Sequence, residues 1–72
     1  MPMTEIVSDR PEVIERARGQ MVRTVRRIDA LNNDYVASMT MTGYFTALLI
    51  ERMISHEMFD QLCQEMDHAL DR

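Results

Sequence analysis

A single cysteine, Cys63, most restricts what this chain can become. The chain has 72 residues, too few for a second domain on the usual scale of about 100–200 residues each. Small domains bury a smaller fraction of their unfolded surface. A core in so short a chain supplies only roughly 3–5 kcal/mol. Such domains rely on a disulfide, a metal or a second chain. One cysteine makes no internal disulfide, and residues of metal-ligand type are few. The expectation is a domain completed by self-association, as a dimer, or by docking on a larger protein.

Composition narrows the class further. Hydrophobic residues are 46% and charged residues 28%, the balance of a soluble globular chain. The formal charge of −4 argues against nucleic-acid binding through bulk charge. Residues 1–9 carry Glu5 and Asp9 and no apolar core, unlike a secretory signal. The apolar run from Tyr44 to Ile50 is far short of the roughly 18–20 residues of a membrane span. These features lead us to expect a cytoplasmic protein without membrane contact.

Hydrophobic spacing indicates an all-α fold of three helices: one long N-terminal helix and a C-terminal helical hairpin. Residues 1–8 read as a flexible tail, and residues 9–72 as one helical domain. Asp9, Pro11 and Glu12 form a start signal, with Asp9 as cap and Glu12 at capping-box spacing. Ile14, Ala17, Met21, Val25, Ile28 and Leu31 follow in steps of three or four. The first helix is expected at about 10–32, ending in Asn32-Asn33-Asp34, a turn-forming cluster. Glu12 and Arg16 have the i,i+4 spacing of a stabilising pair.

Residues 35–41 are ambiguous. Tyr35, Ala37, Met39 and Met41 alternate with Val36, Ser38 and Thr40, as in a short strand, while a helix or loop fits as well. A strand here would resemble the ribbon-helix-helix arrangement of DNA-binding domains, but it would carry no basic residue. The second helix is expected at about 42–54. Its apolar residues cover nearly the whole circumference, the pattern of a helix buried between others. Ser55 then offers a cap, and Ile54 and Phe59 a hydrophobic staple. The third helix is expected at about 56–71. Phe59, Leu62, Cys63, Met66, Ala69 and Leu70 give it the clearest amphipathic stripe in the chain.

Charge is unevenly distributed. Residues 1–36 balance, whereas residues 37–72 carry the whole acidic excess. Residues 16–27 contain five Arg and no acid, and the chain has no Lys. The planar Arg fork suits carboxylates and phosphates. Arg16, Arg23, Arg26 and Arg27 are therefore candidate partner-binding residues. So are Asp60, Asp67 and Asp71 on the far face of the third helix. Complementary charge of this kind sets orientation and on-rate more than affinity. Met39, Met41 and Met58 fall outside the apolar stripes and are candidates for an adaptable contact patch. Tyr35 and Tyr44 could anchor it. Met21, Met53 and Met66 read as core.

No constellation for catalysis emerges. His56, Glu57 and Asp60 share one turn, but this is the polar first turn that capping physics favours, not a His-Glu-x-x-His site. Cys63 and His68 diverge by about 140° on a helix of 3.6 residues per turn, whereas a nucleophile pair must converge. The two glycines are isolated, so no phosphate loop exists. We expect no catalytic, metal or cofactor site. The expected function is a non-catalytic protein–protein interaction module: a small regulator, inhibitor or adaptor. By analogy of class with anti-CRISPR inhibitors, an acidic face could occupy a basic channel, as accessory proteins of phages or plasmids do. The competing expectation is a nucleic-acid-binding transcriptional regulator that uses the Arg face of the first helix.

Overall fold

The computed structural model describes residues 9–28 and 33–71. Three helices fill most of them: α1 (Pro11–Arg26), α2 (Asp34–Ile50) and α3 (His56–Leu70). Among the described residues there is no strand, and no helix is long and apolar enough to cross a membrane. The fold is all-α. The expected tail at 1–8 lies outside the described residues.

α1 starts at Pro11, whose fixed φ suits the first turn and whose missing N–H is not needed there. Its cap residue is Arg10, with no side-chain capping bond. The expected cap, Asp9, is used elsewhere. Its carboxylate accepts from the Ser55 backbone N–H at 2.7 Å and from the Ser55 hydroxyl at 2.9 Å. Ser55 Oγ in turn accepts from the Met58 N–H at 3.1 Å. Asp9 thus supports the cap of α3, two helices away in sequence. α1 also ends earlier than expected. The Arg27 N–H is shared between the carbonyls of Arg23 and Thr24, and the Ile28 N–H reaches Val25, so the last turn tightens. The expected continuation through Leu31 and Asn32 falls outside the described residues.

α2 begins at Asp34 rather than Thr42. Asn33 Oδ1 accepts from the Val36 N–H at 3.0 Å, so the Asn-Asp cluster starts this helix instead of closing the previous one. Residues 35–41 are therefore helical. The helix stops at Ile50, short of the expected 54. Met53 N–H bonds the Leu48 carbonyl and Arg52 N–H that of Leu49, a Schellman ending. Arg52 takes the left-handed position with φ 62°.

α1 and α3 run side by side in the same direction. Asp9 meets Ser55 at one level, and Arg18 meets Glu65 further along. α2 runs against both. Thr24 near the end of α1 reaches Met41 in the first half of α2, its hydroxyl 3.3 Å from the sulfur. The core between the helices holds Val13, Ile14, Ala17 and Met21 of α1 with Ala37, Met41, Phe45 and Leu48 of α2. Ile54, Leu62 and Met66 complete it. Phe45 and Ile54 are fully enclosed, and Phe59 packs half-buried against the same cluster.

Candidate functional site

The expectation that α2 lies buried between other helices needs correction. The other two helices cover only one side of it. Ala37, Met41, Phe45 and Leu48 face inward, while the opposite side meets solvent. At about 100° per residue, Gly43 points almost directly away from Met41 and Phe45. Val36, Met39, Thr46, Ala47 and Ile50 share its side. Tyr35 is 71% exposed, Met39 57% and Ile50 69%. Thr42, Gly43 and Ala47 are exposed too. A shallow groove of about 490 Å³ runs along this side, lined by Ser38, Met39, Thr42, Gly43, Thr46, Ala47 and Ile50. Gly43 forms its floor, and a Cβ added there would meet no heavy atom within 4 Å.

No charged residue occurs from Tyr35 to Ile50. The surface is therefore uncharged over four helical turns, with Ser38, Thr42 and Thr46 set among its apolar residues. Single apolar residues on a surface are ordinary, whereas here Val36, Met39, Ala47 and Ile50 fall together on one exposed side of the same helix.

The expected contact residues divide between this strip and the interior. Tyr35 and Met39 lie on the exposed side. Met41 does not. It is 2% exposed, because it stands one turn from both Ala37 and Phe45 on the inner face. Met58 is half-buried against the core in the first turn of α3. Tyr44 is also half-buried, its ring centroid 6.2 Å from that of Phe45. Conversely Met53, expected in the core, is 40% exposed, because the helix has already turned off at Arg52. Ile50, Gly43 and Ala47 were not anticipated. The signal was present: the apolar residues of α2 number more than one face holds.

All the candidate charged residues are exposed: Arg16, Arg23, Arg26 and Arg27 on or just past α1, and Asp60, Asp67 and Asp71 on or just past α3. The pair expected between Glu12 and Arg16 is not closed. An ion pair instead joins α1 to α3: Arg18 grips Glu65 with two bonds of 2.9 and 2.8 Å. Those bonds hold the Glu65 carboxyl below the usual carboxylate range, against a smaller opposing push from burial. Arg27 sits beside Val36 and Thr40, where α1 borders the open side of α2.

Cys63 is half-buried and packs against the core. Burial pushes its thiol pKa up, and the nearby charges of Asp60 and Asp67 push it further. The thiolate form is thus disfavoured, the opposite of nucleophile activation. Among the described residues no three His, Cys, Asp or Glu side chains are grouped to hold a metal. Comparison with protein-family models, with curated proteins and with solved structures gives no match.

Proposed function

We propose that this chain is a non-catalytic protein-interaction module, a small regulator or adaptor, that works as a dimer joined through the open side of α2. The observation that carries this reading is the uncharged strip itself, with Met39 and Ile50 more than half exposed on either side of Gly43. Three features favour a second copy as the occupant. The chain carries a net charge of −4, yet this strip has none, so two copies meet there without like-charge conflict. A two-fold contact presents the same patch on both sides, and this strip can meet its own copy, since Met39, Ala47 and Ile50 are apolar and Ser38, Thr42 and Thr46 between them are uncharged. Gly43 also lacks a side chain where two helices would cross most closely, which admits tight packing.

Light scattering of the full chain tests the reading. Expected is twice the chain mass at micromolar concentration, and one chain mass for Met39→Glu combined with Ile50→Glu. Both substitutions sit on solvent-facing positions, so circular dichroism should report undiminished helix content. A native chain that scatters as a monomer at millimolar concentration overturns the reading.

A further inference from the structure

The two helices packed against α2 carry exposed charge of opposite sign. On α1, Arg16, Arg23 and Arg27 are spaced seven and four residues apart and form one stripe. Its end, Arg27, lines the same groove as Val36 and Thr40, at the edge of the strip. On α3, Asp60, Asp67 and Asp71 repeat the same spacing. Glu65 of α3 turns toward α1 to meet Arg18. The three Asp lie about 120–160° round from it, away from α1 and beside Cys63. Neither stripe forms an ion pair among the described residues.

The two stripes also stand at matching heights. The contacts Asp9–Ser55 and Arg18–Glu65 join residues 46 and 47 apart in sequence, which fixes the level of α1 against α3. Each Arg of the stripe precedes its Asp counterpart by nearly the same interval. The mismatch of two or three residues is about 3–5 Å along a helix, within the reach of an Arg side chain.

Within one chain these stripes lie on opposite sides of α2 and never meet. Between two copies the outcome depends on the direction of the two-fold axis. If the α2 helices cross antiparallel, Arg faces Arg and Asp faces Asp. If they run parallel, each Arg flank faces the other copy's Asp flank. The strip itself agrees with the second case. Val36, Gly43 and Ile50 fall at one heptad position and Met39 and Thr46 at the other, and in parallel pairs β-branched residues at the first position favour two strands over three or four.

Resting on the dimer proposed above, we infer that two copies pair with their α2 helices parallel and in register. Arg16, Arg23 and Arg27 of each copy then clamp Asp60, Asp67 and Asp71 of the other. The apolar strip supplies the adhesion, and the crossed stripes choose both the partner and its direction, since opposed charge governs orientation and encounter rate.

Two charge-swapped full chains test this. One carries Arg16→Glu, Arg23→Glu and Arg27→Glu; the other carries Asp60→Arg, Asp67→Arg and Asp71→Arg. At low salt each alone should dimerise about tenfold or more weakly than the native chain, summing several modest pair losses. Mixed together they should form a heterodimer. A second arm fixes direction: in a Cys63→Ser background, Met39→Cys and Ile50→Cys should each form a disulfide with itself across the dimer. Self-crosslinking confined to Gly43→Cys means antiparallel helices and overturns the inference while leaving the dimer intact. So does a mixture that fails to pair, or a swapped Arg chain that dimerises normally but loses retention of duplex DNA. A native chain that is monomeric overturns the underlying reading instead.

Discussion

α1 and α2 are nearly equal in length and feed the same core, yet they are built on opposite plans. α1 buries Val13, Ile14, Ala17 and Met21 on one side and gives the other mostly to charge. α2 buries Ala37, Met41, Phe45 and Leu48 on one side and leaves the other apolar as well. The fold accounts for most of the pattern of α1, where Val22 alone among the large apolar residues is 46% exposed. It accounts for only half of α2. The surplus half is the surface on which the proposed dimer rests.

That contrast can be broken most forcefully at Phe45. It is fully enclosed, so Phe45→Ala should cost about 3–5 kcal/mol, comparable to everything a core of this size supplies. Ile50→Ala, on the open side of the same helix, should leave the intrinsic stability of the folded monomer within about 0.5 kcal/mol, as surface substitutions do. Urea denaturation of both, the latter in dilute solution, separates the two sides. Equal losses would mean that the open side is part of the monomer's core.

Capping comes next. Asp9→Ala removes both bonds to Ser55 and should cost about 1 kcal/mol. The loss should appear as a lower melting temperature and faster amide exchange at the start of α3. Exchange that quickens instead in the first turn of α1 would return Asp9 to the role its sequence position suggests.

The two glycines sharpen the comparison further. Both sit in helix interiors. A Cβ at Gly19 would meet only the Arg23 guanidinium, at 3.6 Å. Gly19→Ala should therefore stabilise the chain by roughly 0.5–1 kcal/mol. Gly43→Ala should bring the same gain to the isolated monomer, because its Cβ meets nothing there. At concentrations where the dimer forms, the added methyl fills the crossing point, and the gain should shrink or reverse. Thermal melts at two concentrations distinguish the cases.

The smallest effect belongs to Arg18 and Glu65. The Glu65 carboxyl is held below its unfolded value, so the pair adds stability above the ordinary carboxylate range. That contribution is lost as pH falls through the lowered folded value. Both side chains are about a third exposed or more, so the contribution is under about 1 kcal/mol. Glu65→Gln should flatten the acid limb of the pH–stability curve by that amount and leave the neutral-to-alkaline shape unchanged.

Much of this architecture is legible in the residues. The three- and four-residue spacing of α1 and α3 survives nearly intact, and Ser55 caps where its position suggests. The misread places share a cause: local chemistry that serves two ends. Asn33 and Asp34 suit both a turn and a helix start, and only the bond to Val36 decides. Asp9 has the right spacing for its own helix, but a carboxylate caps any free N–H within reach, and here it takes the Ser55 N–H and hydroxyl. Arg52 stops α2 in a left-handed conformation that glycine would have announced. Met39 and Met41 are indistinguishable by type, and the 100° of one helical step twice over puts one outside and the other in the core. An all-round apolar helix reads as buried, and the number of neighbours available to cover it is a property of the whole fold.

Sedimentation equilibrium of the native chain, from micromolar to millimolar concentration, tests the central claim most directly. The open side of α2 predicts a reversible monomer–dimer equilibrium that Met39→Glu with Ile50→Glu abolishes. A single species of one chain mass across that whole range, matching the doubly substituted chain, would contradict it.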